Sequence, residues 1–130
     1  MIDTNICIYY MKGMFGLNEK FKSLEVKQIY ISEITLAELK FGVANSASVE
    51  KNQLVLEYFL TGVQILPIYN SLDLYASEKA RLRQSGRPLD DFDLLIGVGA
   101  VHNEMTLVTN NPKHFRRITG IKVENWTEGK

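Results

Sequence analysis

The sequence predicts an α/β protein with a parallel sheet that is covered by helices on both faces. Short apolar segments rich in β-branched residues alternate along the chain with longer segments of helical periodicity. The helical segment after Asp90 is apolar nearly all round, as expected of a buried helix. With 130 residues, 45% of them hydrophobic, the chain can form a core of its own. We therefore expect a single domain over residues 1–130.

The first half of the chain opens on a strand that ends at Ile2 and is interrupted by Asp3. Only two residues precede Asp3, so we expect either a strand stub or a native start that lies upstream. In order, the elements predicted next are helical segments at 6–11 and 17–24, a strand at 28–32, a helix opened by Thr35 and a helix at 48–60.

The second half continues the alternation of strands and helices. Its predicted elements are a strand at 63–67, a helix capped by Asn70 or Ser71, a turn at 85–88, the buried helix opened by Asp90 or Asp91, a strand at 106–109, a short basic helix capped by Asn111 and a strand at 121–123. In open parallel sheets, ligands bind beyond the carboxyl ends of the strands. The residues that follow the strands are therefore the first candidates for a site.

The composition excludes several classes of protein. A single cysteine, Cys7, rules out an internal disulfide framework and a cysteine-based zinc site. The longest apolar run, at 94–101, is far shorter than the ~20 residues that span a bilayer. The first residues carry neither a basic patch nor the apolar run of a secretion signal. We expect a cytoplasmic protein without a membrane segment.

Equal numbers of basic and acidic residues, 15 of each, hide an uneven distribution. Between Lys79 and Arg117 there are seven basic and four acidic residues, a net charge of +3, and all five arginines lie in this stretch. Such a basic face is suited to phosphate contacts or is simply solvated helix surface, and charge alone does not separate the two.

Polar side chains follow several of the predicted strands. They are Asp3 and Asn5 after the first strand, Glu38 in the first turn of the helix after the second strand, Asp93 in the first turn of the buried helix, and Thr109 and Asn111 after the strand at 106–109. Taken singly, each has a structural explanation: Glu38 completes a capping box with Thr35. Asp93 suits the positive end of a helix, and Asn111 before a proline is a common helix cap.

Taken together, the three acids Asp3, Glu38 and Asp93 predict a metal site. At ~5 Å and an effective dielectric of ~20, each pair of carboxylates repels by roughly 3 kcal/mol. A cluster of this kind either takes up a proton or holds a cation. Ligands that are all oxygen favour Mg²⁺ or Mn²⁺ over zinc. A carboxylate-held Mg²⁺ suits phosphodiester hydrolysis, since it activates water and offsets charge on phosphate.

Four motifs in this order resemble those of the PIN-domain ribonucleases, and more narrowly the VapC toxins of bacterial type II toxin–antitoxin pairs. The motifs are DTNI at 3–6, ISEITLAELKFG at 31–42, GRPLDDFDLLI at 86–96 and LVTNNPKHF at 107–115. The ending ITGIKVENW at 118–126 is also similar to the VapC tail. The resemblance covers essentially the whole chain.

The resemblance implies a three-layer sandwich with a mostly parallel sheet of four or five strands. It places Asp3, Glu38 and Asp93 as the acids that bind Mg²⁺ or Mn²⁺, with Asn5 and Thr109 as supporting polar residues. Asn111 stands where many relatives have a fourth acid. The implied reaction is metal-dependent endonucleolytic cleavage of structured RNA. The implied partners are a second copy of the chain and a VapB-type antitoxin whose C-terminal segment covers the active site.

Some assignments within the resemblance are less direct. Asp91 competes with Asp93 for the metal role, although the following Leu-Leu-Ile run favours Asp93. Residues that are weak candidates for RNA contact are Arg87, Lys113, Arg116 and Arg117. His114 is expected to have a structural or surface role, with a position near RNA as the alternative. Gly97 and Gly99 each cost the buried helix about 1 kcal/mol relative to alanine, so we expect close packing there.

Other functions compete with the ribonuclease. A non-catalytic RNA- or antitoxin-binding PIN domain would retain the fold without the metal, yet this chain has all three acids. A haloacid-dehalogenase-type phosphotransferase needs a second Asp where Asn5 stands, and a receiver domain needs paired acids before its phosphorylated Asp. A dinucleotide-binding domain needs a glycine-rich turn after the first strand, which is not present.

Overall fold

The computed structural model describes residues 1–25 and 28–128. The strands are β1 (Ile29–Ser32), β2 (Val63–Leu66), β3 (Leu107–Val108) and β4 (Val123–Glu124). The helices are α1 (Thr4–Met11), α2 (Leu17–Ser23), α3 (Glu33–Ala44), α4 (Val49–Leu60), α5 (Leu72–Gln84), α6 (Asp91–His102) and α7 (Pro112–Phe115), with a 3₁₀ turn at Tyr69–Ser71 before α5. The alternation of strands and helices follows the sequence prediction.

The strands form two parallel pairs that the first three residues join into one sheet. Strand β1 pairs with β2, and β3 pairs with β4. Between them, Ile2 forms a parallel bridge with Val108 and donates its N–H to the Tyr30 carbonyl at 2.9 Å. The order across the sheet is therefore β2, β1, residues 1–3, β3, β4. Residues 1–3 thus occupy a central place in the sheet through a single bridge at Ile2.

Alternating side chains of the sheet face two separate cores. Ile2, Ile31 and Val108 belong to a cluster that also contains buried residues of α1, α2, α3 and α4. Met1 and Leu107 belong to a second cluster with buried residues of α5, α6 and α7. Helices thus cover both faces, and the predicted three-layer α/β sandwich is confirmed.

Helix α3 begins two residues earlier than predicted. It begins at Glu33, and the Ser32 hydroxyl accepts the N–H of Ile34 at 3.0 Å as its cap. Strand β1 runs directly into the helix, so no loop separates them. Thr35 is buried inside the helix rather than at its start. The capping box with Glu38 is therefore wrong, and Glu38 lies in the second turn of α3, not the first.

Other boundaries shift by one to three residues. Helix α1 begins at Thr4 with Asp3 as its N-cap, where the sequence places the start near Ile6. Strand β4 lies at Val123–Glu124 rather than at 121–123. Its pairing with β3 extends to the hydrogen bond that the Thr109 N–H donates to the Glu124 carbonyl.

A close approach of two elements explains one glycine in α6. A Cβ on Gly97 would overlap the buried Ile118 Cδ1 and lie 3.3 Å from Phe115 Cδ1. At Gly99 the nearest atom is a methionine methyl at 3.7 Å, an ordinary contact. The expected close packing is therefore confirmed at Gly97 and absent at Gly99. No helix in the described part of the chain is long and apolar enough to cross a membrane.

Candidate metal centre at the carboxyl ends of the strands

Asp3 lies where the central segment of the sheet turns into α1, and its carboxylate is buried. The Thr109 hydroxyl donates a hydrogen bond to Asp3 Oδ2 at 2.8 Å, and the N–H of Thr4 donates to Oδ1 at 2.8 Å. Thr109 directly follows β3, so two neighbouring strand ends meet at this carboxylate. The predicted supporting residue Thr109 is thus in contact with the predicted ligand Asp3.

Glu38 is held by a residue from α1 rather than by its own helix. The Thr4 hydroxyl donates to Glu38 Oε1 at 2.5 Å and lies 3.2 Å from the Thr35 hydroxyl. This hydrogen bond joins the second turn of α3 to the first residue of α1. Because Thr4 is next to Asp3, this contact places Glu38 beside the Asp3 end of the sheet.

Asp93 lies in the first turn of α6 and contacts α7. Its Oδ2 is 3.0 Å from His114 Nε2, and the two side chains are 34% and 25% exposed. The neighbouring Asp91 points elsewhere: it accepts from Tyr75 at 2.8 Å and forms an ion pair with Lys79 at 2.9 Å. The geometry therefore agrees with Asp93, not Asp91, as the acid that faces the site.

The electrostatics of Asp3 indicate that the three acids share one region. Burial raises the pKa of Asp3 above its ordinary value, while the hydrogen bonds from Thr109 and Thr4 oppose this effect. The negative charges of Asp93 and Glu38 raise the Asp3 pKa further. Both acids are therefore close enough to Asp3 for their charges to act on it.

The acids do not form a closed cage. Among residues 1–25 and 28–128, no three acidic, histidine or cysteine side chains lie close enough together to hold a metal ion as they stand. Mutual repulsion keeps carboxylates apart, and each of these is held by a protein partner. Asp93 and Glu38 nevertheless each have one oxygen that accepts no hydrogen bond from another described residue. The donor set, all carboxylate oxygen, fits a hard divalent cation.

The remaining supporting residues are less engaged. Asn5 is exposed in the first turn of α1, and no described side chain bonds to its amide. Asn111 is the N-cap residue of α7, but its side chain makes no capping bond. Instead, the Asn111 N–H donates to the Thr109 hydroxyl at 3.0 Å. Asn111 therefore occupies the predicted cap position, but it makes no side-chain capping bond.

The basic residues divide into two groups. Arg117 donates to the Pro88 carbonyl at 3.0 Å, and its own carbonyl accepts from Arg81 at 2.6 Å. Arg117 thus connects the end of α7 to the turn before α6. The other candidates for RNA contact are exposed, namely Arg87, Lys113 and Arg116.

Sequence reasoning missed three residues of the site. Thr4 is absent from the predicted site although it lies inside the DTNI motif, which is the signal that could have identified it, and Thr35 is predicted only as a helix start. His114 was given a structural or surface role. Its contact with Asp93 joins residues 21 positions apart and has no signature in the local sequence.

A model of the PIN domain matches residues 1–121. The chain belongs to the PIN-domain family. This PIN domain is similar to Ribonuclease VapC2 of Rickettsia felis, with 38% identity over 131 residues that cover 97% of this chain and 96% of that protein. It is 33% identical to the tRNA(fMet)-specific endonuclease VapC of Shigella flexneri, over 98% of this chain and 97% of that protein.

Solved structures show the same similarity. A crystal structure of VapBC2 from Rickettsia felis, bound to a DNA fragment from its promoter, matches 97% of this PIN domain and 97% of that chain with a TM-score of 0.87 and 38% identity. DNA-bound VapBC from Salmonella typhimurium matches with a TM-score of 0.88 and 33% identity, covering 97% of this chain and 96% of that chain. The family resemblance that the four motifs predict is confirmed.

Proposed function

We propose that this PIN domain is a metal-dependent endoribonuclease toxin of a VapBC pair, which hydrolyses phosphodiester bonds of structured RNA. The observation that carries the proposal is that the charges of Glu38 and Asp93 both act on the buried Asp3 carboxylate at the carboxyl ends of the strands. A buried carboxylate with two like charges nearby costs free energy, and a bound cation would offset that cost. The ribonuclease names of relatives that match nearly the whole chain support the reaction class.

Mg²⁺ is the cofactor that we propose, with Mn²⁺ as the alternative. Asp3, Glu38 and Asp93 would hold the ion. When bound, it supplies activation of water and offsets the negative charge that develops on the phosphate. The chain's own contribution is orientation: Thr109 and Thr4 fix the Asp3 carboxylate, and Thr4 also fixes Glu38.

The exposed basic residues near the site would bind the RNA backbone. Arg87 precedes α6, and Lys113 and Arg116 lie on or next to α7, the two helices that carry Asp93 and His114. Contacts of this type supply affinity without reading sequence, and they weaken as the salt concentration rises. We propose them as the electrostatic part of the substrate site.

A VapB-type antitoxin is the protein partner that we propose. A groove of about 500 Å³ runs between α1, α3 and α4 and includes Glu38 in its lining. Its apolar lining consists of Ile8, Met11, Leu39, Val43, Val55 and Leu56. Apolar grooves of this type accept the apolar face of a peptide segment, and an antitoxin segment in this one would cover the acidic site. The similar structures of VapBC from Rickettsia felis and Salmonella typhimurium support this partner.

Two further parts of the proposal follow from the family resemblance. We propose that the toxin is a homodimer. We also propose that it acts in the cytoplasm, where its RNA substrate is found.

The test is cleavage of total RNA by the purified protein in Mg²⁺, with EDTA as the metal-free arm. The wild type should cleave RNA only with the metal, and Asp93→Asn should lose most of the activity. Asp91→Asn is the matched control, because Asp91 lies one half-turn away on the same helix and pairs with Lys79. Asp91→Asn should retain activity.

Cleavage that is equal in wild type and Asp93→Asn would reject the proposed centre. A wild type that binds RNA but never cleaves it in Mg²⁺ or Mn²⁺ would favour the second candidate, a non-catalytic RNA- or antitoxin-binding PIN domain.

A further inference from the structure

His114 contacts one of the three site acids and has no role in the proposed function. Its Nε2 lies 3.0 Å from Asp93 Oδ2. An ionised carboxylate only accepts hydrogen bonds, so Nε2 is the donor in this contact. We propose that His114 is a positioning residue that fixes the Asp93 carboxylate for the metal ion. This inference rests on the proposed function.

The imidazole is held in place by its neighbour in α7. Phe115 is only 1% exposed and anchors this four-residue helix in the core of α5, α6 and α7. The His114 and Phe115 rings meet edge to face, with centroids 5.8 Å apart at 86°. The His114 side chain is therefore supported by a buried group and reaches Asp93 from a fixed direction.

The approach of α7 to α6 depends on Gly97. Gly97 follows Asp93 by four residues, so both lie on one face of α6. The missing Cβ at Gly97 lets Phe115 and Ile118 pack against that face. This packing brings His114 against Asp93 one turn away. The same face of α6 thus contains both Asp93 and the glycine against which Phe115, the neighbour of His114, packs.

The hydrogen bond selects one orientation of Asp93. Oδ2 is engaged by His114, while Oδ1 accepts no hydrogen bond from another described residue and is available to an ion. A ligand held by an outer partner loses less side-chain freedom when it binds metal. Glu38 and Asp93 then each have one oxygen that is held by a protein group and one oxygen that is available to an ion. Thr4 holds Glu38, and His114 holds Asp93.

The experiment measures Mn²⁺ affinity of the purified, metal-free protein by calorimetry, without RNA. His114→Phe preserves the ring but removes the donor, and His114→Gln supplies an amide N–H near the position of Nε2. Loss of an outer partner typically weakens metal binding about 10–100-fold, which is the loss we expect for His114→Phe. His114→Gln should recover most of the affinity. His102→Phe, at the exposed C-terminal end of α6, is the matched control and should bind as the wild type does.

The outcomes separate the inference from the proposed function. His114→Phe that binds Mn²⁺ within twofold of the wild type overturns the role of His114 and leaves the metal centre intact. Equal losses in His114→Phe and His114→Gln overturn it too, because they indicate packing rather than a donor. A wild type that binds no Mn²⁺ overturns both proposals. Thermal unfolding of each variant confirms that the comparison is between folded proteins.

Discussion

The Thr109 hydroxyl donates a 2.8 Å hydrogen bond to Asp3 Oδ2 across 106 positions of sequence. This bond and the Thr4 N–H stabilise a carboxylate that burial and two nearby acids otherwise disfavour. We therefore predict that the ionised Asp3 carboxylate lowers the stability of the metal-free protein and contributes to cation binding.

Asp3→Asn should raise the thermal stability of the metal-free protein at pH 7. The pKa of Asp3 is raised in the folded state, so ionisation of Asp3 lowers the free energy of unfolding as the pH rises above the unfolded value of 3.8. The advantage of Asp3→Asn should therefore shrink as the pH falls toward 4. Thermal unfolding in EDTA at several pH values measures this effect.

Addition of Mg²⁺ or Mn²⁺ should reverse the ranking. The wild type gains stability from an ion that binds only the folded state, and Asp3→Asn should gain little. A melting temperature of wild type that is insensitive to both ions contradicts the assignment of Asp3 as a ligand.

Thr4→Val should weaken the site without changing its charge. The substitution keeps the shape of the side chain but removes the hydroxyl that joins Glu38 to Thr35. Loss of a hydrogen bond to a charged group costs about 1.5–3 kcal/mol, and we expect a destabilisation near the lower end together with reduced RNA cleavage. Urea unfolding and cleavage assays measure the two effects. In Thr61→Val, the control, the lost bond is to a carbonyl at the end of α4, so cleavage should be unaffected.

Gly97→Ala and Gly99→Ala should have opposite signs. Both gain about 1 kcal/mol of helix propensity. At Gly97 the added methyl overlaps Ile118, and overpacking of a core costs about 1–3 kcal/mol, so the net effect should be destabilising. At Gly99 the space is adequate and the variant should be more stable than the wild type. Urea unfolding compares the two. An equal increase in the free energy of unfolding in both variants would contradict this prediction, because it would show that Ile118 and α7 shift away from the added methyl at little cost.

Glu78→Gln should destabilise the protein at neutral pH and not at low pH. The buried Glu78 carboxylate accepts from Arg81 and from the Thr119 N–H, and these bonds lower its pKa from 4.5 to about 2. Its ionised form therefore stabilises the fold above pH 4.5, by roughly 3 kcal/mol at most, and this contribution is lost as the pH falls toward 2. The unfolding free energies of variant and wild type should converge over that range. Glu57→Gln, on the exposed side of α4, should show no such difference.

The sequence was informative where a residue's neighbours along the chain determine its position. Asp3 could be placed at a strand end because a polar residue directly follows Ile2, and parallel strands bring their ends to one edge. The resemblance to PIN-domain ribonucleases favoured Asp93 over Asp91, because the Leu-Leu-Ile run that follows aligns with the family motif. The buried character of α6 was also evident, since its residues are apolar on every side.

The parts that were not predictable depend on packing between distant elements. The partner of Glu38 is Thr4 because α1 crosses the second turn of α3, and a capping box was the better local explanation. His114 reaches Asp93 only because Gly97 lets α7 approach α6. Side-chain partners of this kind depend on tertiary packing, which local propensities do not describe.

The place of residues 1–3 in the middle of the sheet has a consequence for biosynthesis. The ribosome synthesises Asp3 more than a hundred residues before its partner Thr109 and the bridging Val108. A nascent chain that stops before β3 leaves Asp3 without its hydrogen-bonded setting. A translation product truncated there would therefore lack the proposed metal centre and, with it, the proposed cleavage of RNA.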